Sequence, residues 1–105
     1  MPTPEFFPMK PSEKIPVTLD YSIANTLPSG VTVSSGTVAA WDLSDNSSAD
    51  SILSSATATT TTTSTKIYVT APSTSGGKRY KVRFTTTCSD TTKLIEDVEV
   101  RVQDA

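Results

Sequence analysis

The chain has 105 residues, with nine Lys and Arg against eleven Asp and Glu, one Cys and no His. That length holds one domain with a single core, burying roughly 60 to 70% of the unfolded surface, and one Cys excludes a disulfide scaffold. A net charge of −2 with no continuous basic stripe argues against nucleic acid as a partner.

Residues 1–14 contain Pro2, Pro4, Pro8 and Pro11 with Phe6, Phe7 and Met9 among them. Prolines bar this stretch from a helix or a sheet interior. It therefore reads as an arm ahead of a domain at 15–105, either a disordered tail or, given its aromatics, a stiff extended segment with Phe6, Phe7 and Met9 as the side chains expected to contact another subunit. The start has no basic cluster, apolar run or small-residue cleavage site, and no stretch approaches the roughly 18 apolar residues of a membrane span. The expectation is synthesis and folding in a cytoplasm, with no membrane partner.

Residues 15–23 place Ile15, Val17, Leu19, Tyr21 and Ile23 at odd positions and Thr18, Asp20 and Ser22 between them. This period of two predicts a strand, and Pro16, which has no N–H, predicts that its start lies at an edge. A turn cluster follows at 25–30. Residues 31–43 resume the alternation, interrupted by Ser34-Ser35-Gly36, which predicts a bulge or bend. Counting parity straight through puts Val31, Val33, Ala39, Trp41 and Leu43 on one face, so Trp41 is predicted in the core.

Asp42, Asp45, Asn46 and Asp50 raise the question of calcium, but the glycine and closing Glu of an EF-hand loop are missing. Turn capping is the expectation for them, with no metal and no cofactor. Two further extended runs are predicted at 51–58 and 59–71. The Thr tract at 59–63 is read as a surface strand or its flank, because Thr is β-branched and stiff. About a third of the chain is Ser or Thr, and no helix is proposed.

The clearest pattern spans residues 76–102. Tyr80, Val82, Phe84, Thr86 and Cys88 alternate with polar residues, and after a polar break at 89–92 the alternation resumes in Val98, Val100 and Val102. This is a hairpin with one buried face. A loop centred on Asp90 sets Lys81 opposite Glu99 and Arg83 opposite Asp97, exposed pairs worth about 0.2–1 kcal/mol each. Cys88 falls on the inward parity and reads as a small buried hydrophobe.

Short strands separated by Gly/Pro/Ser turns predict an all-β immunoglobulin-like β-sandwich of six to seven antiparallel strands, with a barrel as the alternative. The predicted core is Val17, Leu19, Tyr21, Trp41, Val82, Phe84, Val98 and Val100. The spacing Gly77-x-x-Tyr80-x-Val82-x-Phe84 resembles the penultimate strand of such sandwiches, and the resemblance implies that Tyr80 is a corner tyrosine bonded to nearby backbone.

No acid/base pair, activated nucleophile or metal centre stands out, so an enzyme is not expected. The chain does resemble the small Ig-like virion proteins of tailed bacteriophages, the fibre-tail adaptor type. Asp20-Tyr21 with Leu27 and Gly30, the run Val31-Thr-Val-Ser-Ser-Gly-Thr-Val38, the Thr-rich centre, Gly76-Gly77 before Tyr80, and the finish Asp97-Val-Glu-Val-Arg-Val102 fall in that family's order. The departures are the arm and Cys88-Ser-Asp-Thr-Thr92, where the family more usually has a Gly-containing turn. The resemblance implies a structural protein of the virion, assembled in the host cytoplasm, at the neck, tail or fibre attachment. Its implied partners are other phage structural proteins and copies of itself in a symmetric ring or array. A capsid decoration protein, or a carbohydrate-binding or adhesin module, is the alternative.

Overall fold

A computed structural model describes residues 7–21, 27 and 30–103. Eight strands follow in order: β1 (Phe7–Met9), β2 (Lys14–Asp20), β3 (Val33–Asp42), β4 (Ser47–Ser48), β5 (Thr59–Thr60), β6 (Ser64–Thr70), β7 (Arg79–Cys88) and β8 (Lys93–Val102). They form two sheets, β1-β8-β7-β3-β4 and β2-β6-β5. Val17, Leu19, Ile67 and Val69 of the small sheet pack on Val38, Ala40, Val82, Phe84, Val98 and Val100 of the large one, all buried. Between the sheets the Tyr21 hydroxyl hydrogen-bonds the Thr86 hydroxyl at 2.8 Å, with both residues fully enclosed.

The β7–β8 hairpin has the expected register, Lys81 against Glu99 and Arg83 against Asp97. Its loop is three residues long. Thr91 donates to the Cys88 carbonyl at 2.9 Å and Cys88 to the Thr92 carbonyl at 2.8 Å. Thr91 closes the loop at φ 70°, the left-handed position that such loops normally fill with Gly.

Three expectations are corrected. The bulge comes where Ser34-Ser35-Gly36 placed it, as a register shift between Val33 and Ser35. Beyond it the parity of β3 is reversed, so Gly36, Val38, Ala40 and Asp42 face inward and Trp41 leaves the core for the outer face. The reason is the extra residue at the bulge, and Gly36 suits the inward place it then takes, since a Cβ there would lie a tight 3.2 Å from Thr65 Cγ2 and 3.4 Å from Ala58 Cβ.

The second correction concerns the arm. Phe7–Met9 is not free but pairs in parallel with Val100–Val102 of β8. Met9 is 2% exposed and Phe7 packs beside it against the core, so neither is a side chain held out for a neighbour. Pro8 is tolerated because β1 is an edge strand. Phe6 and Ile23 lie outside the described residues. Third, residues 51–58 do not make a strand. A 3-10 turn at Asp50–Ile52 buries Ile52, and the stretch after it pairs with the sheets through the isolated bridges Leu53↔Val69 and Thr37↔Thr57 while Leu53 and Ala58 pack against the core.

Thr65 is completely buried with its hydroxyl unpaired. An orphaned buried hydroxyl costs about 1–3 kcal/mol, so Thr65→Val should raise stability by about 1 kcal/mol in urea unfolding. Thr91→Gly should also stabilise, by about 1 kcal/mol, because the left-handed backbone costs a β-branched residue about that much or more. An unchanged or lower urea midpoint for Thr91→Gly would contradict the hairpin geometry.

Candidate interaction surface

The reversal on β3 builds a surface on the outer face of the large sheet. Alternate residues of β3, β7 and β8 point outward there, which brings Trp41, Lys81, Arg83, Asp97 and Glu99 together. Lys81 Nζ lies 4.9 Å from the Trp41 ring centroid and the Arg83 guanidinium 5.4 Å from it, both within cation–π range. Arg83 also forks onto Asp97 through Nε at 2.8 Å and Nη2 at 3.1 Å. The planar guanidinium suits that bidentate geometry, and its stem covers the indole.

The register sets Lys81 opposite Glu99, but the Glu99 carboxylate bonds Arg101 and lies 3.9 Å from Arg79. Lys81 takes the indole instead. Beside this cluster Leu43, Lys81, Asp97, Val98 and Glu99 line an open hollow of about 270 Å³. Ile95, on the same face of β8, is 62% exposed. The outer face of the small sheet carries Tyr68, 40% exposed, with the Lys14 and Lys66 ammonium groups each 5.3 Å from its ring centre.

The acidic loop residues work separately. Asp42 accepts the Ser44 N–H at 2.9 Å and hydroxyl at 2.7 Å, and pairs with Lys78 at 3.3 Å. Asp45 accepts the same pair of donors from Ser47, and Asp50 accepts the Ala40 N–H at 2.8 Å. Each is a turn or strand cap, and among the described residues no group of three or more His, Cys, Asp and Glu could hold a metal. Cys88 is buried, as its parity predicted, and burial pushes its thiol pKa up, away from reactivity.

Tyr80 is buried at the start of β7, as its parity predicted, and burial raises its pKa. In the turn before β7, the Ser75 hydroxyl donates to the Pro72 carbonyl at 2.6 Å. Sequence reasoning missed the Trp41 cluster because it counted β3 as unbroken. The signal was present, since one inserted residue at the foreseen bulge exchanges the two faces.

No protein-family model matches the chain, and no curated protein matches its sequence. Among solved structures it is similar to murine CRIg, with a TM-score of 0.53 at 12% identity over 99% of this chain and 95% of that one. That likeness is one of fold alone, and with the two packed sheets it makes the chain an immunoglobulin-like β-sandwich.

Asp97 has its pKa lowered chiefly by the Arg83 hydrogen bond, and Asp42, Asp45 and Asp90 have theirs lowered by donors from Ser44, Ser47 and Thr92. A carboxylate whose folded pKa is depressed contributes stability above its unfolded value near about 4, and loses it as pH falls through the folded value. The melting temperature should thus fall as the pH drops below about 4. Asp97→Asn should start lower at neutral pH and fall less over that interval; parallel curves would contradict the role given to the Arg83–Asp97 fork.

Proposed function

We propose that this chain is a non-enzymatic structural protein of a tailed-bacteriophage virion, at the neck, tail or fibre attachment, working through contacts with other particle proteins and with copies of itself. Two lines support the reading. The sequence resembles such proteins in the order of its motifs, and those motifs occupy places that matter to the fold: Tyr21 joins the sheets, Gly36 sits at their close approach and Tyr80 is buried at the start of β7.

The observation that carries it is the Trp41–Lys81–Arg83–Asp97 surface. Trp and Arg dominate the energetics of protein interfaces, and here Arg83 is already fixed by a carboxylate and an indole, so docking on it loses little side-chain entropy. The charged and hydroxyl groups of the acidic loop are spent on caps rather than aimed at one point, which fits a building block better than a catalyst. A sugar-binding module draws its support from Tyr68, but that ring already has two lysines over it.

The test is mass spectrometry and electron microscopy of purified particles made with and without the gene. The expected outcome is the chain present in regular stoichiometry, and particles lacking tails, necks or fibres when it is deleted. Complete particles that never contain the chain would reject the role.

A further inference from the structure

Resting on that reading, we propose that the outer face of the large sheet docks an acidic polypeptide segment of a neighbouring virion protein, with one aliphatic side chain of that segment entering the hollow beside Leu43. Charge makes the first argument. Arg79, Lys81, Arg83 and Arg101 face outward with Asp97 and Glu99 between them, so this face is net positive on a chain whose total is −2. Among the described residues Lys81 makes no ion pair within 4.0 Å, and its ammonium is held over Trp41 at the rim of the hollow. A carboxylate arriving there meets a positioned cation that acts on Asp97 from a distance but holds no carboxylate in direct contact.

Shape makes the second argument. The hollow of about 270 Å³ has Leu43 and the Lys81 stem as its apolar walls, with charged groups at its edge and Val98 lying beneath it with its side chain turned into the core, and it has room for a Leu or Ile side chain. A buried aliphatic anchor inside a polar rim is the usual anatomy of a protein contact. Exposed Ile95 extends the apolar ground along β8.

Other occupants fit less well. Phosphates would meet Asp97 and Glu99 at the centre of the face, and the indole that a base would stack on is covered by Lys81 and Arg83. A second copy presenting this same face across a two-fold axis would bring like charge to like charge.

The test uses the full chain, labelled with nitrogen-15, titrated with the capped peptide Glu-Asp-Leu-Asp-Glu, with the same peptide carrying Gly for Leu, and with an oligothymidylate. Saturable amide shifts centred on Trp41, Leu43, Lys81 and Glu99 are expected. Lys81→Glu should weaken the peptide at least about tenfold in Kd, Lys81→Gln less, and Gly for Leu should weaken it in the unaltered chain. Both Lys81 variants are checked for native spectra first. Absence of shifts at millimolar peptide, shifts centred on Lys14 and Tyr68, self-association through this face, or tighter binding of oligothymidylate would each overturn the proposal. Failure here with the chain present in particles rejects this face and leaves the virion role standing; peptide binding with the chain absent from particles does the reverse.

Discussion

The close approach of β3 to β5 and β6 at Gly36 is the constraint on which the rest of the molecule depends. A Cβ there would press on the Thr65 methyl at 3.2 Å, which would have to give by a few tenths of an ångström, and would touch Ala58 at 3.4 Å. With glycine in place and one residue bulged out before it, the chain can keep Val33 inside and then set Val38 and Ala40 inside as well, although they differ in parity. The same device turns Trp41 outward. Core packing and the candidate surface are two results of one bulge.

One edge strand of each sheet, β1 and β2, carries a proline. In β2 the hydrogen bonds from Ala71 to the Glu13 carbonyl and from Tyr21 to the Thr63 carbonyl show that odd-numbered residues bond to β6. Even-numbered residues therefore direct their backbone groups to the open side, where no described strand lies. Pro16 is one of them, so its missing N–H leaves a gap in the row of donors that an intruding strand would need. On the large sheet Pro8 lies in the edge strand β1. Proline at these places guards the edges; the missing N–H of Pro16 foretold its edge, whereas a reading of the first residues as a docking arm did not foresee that of Pro8.

The outer face of the large sheet owes little of its value to ion pairing as such. Arg83 and Asp97 are each about two-fifths exposed, with side-chain values of 41% and 40%, and such pairs contribute modestly in water. What the fork supplies is orientation. Arg83 is held across the indole, Lys81 is left to the other cation–π contact, and the charges stand in a fixed pattern around the hollow before any partner comes.

The sequence by itself determined the two-sided strands, the β7–β8 register and the burial of Val17, Leu19, Tyr21, Phe84 and Cys88, because alternation with a period of two is a local property that each strand carries whatever it packs against. It also marked the bulge and the proline edge. The side that Trp41 faces was settled only when the two sheets met over Gly36, and the place of Met9 only when a gap beside Val102 admitted a parallel strand. The hollow beside Leu43 likewise joins residues from separate segments. None of these follows from periodicity, since each depends on which surface lies opposite, and that is fixed by long-range packing rather than by neighbours in the chain.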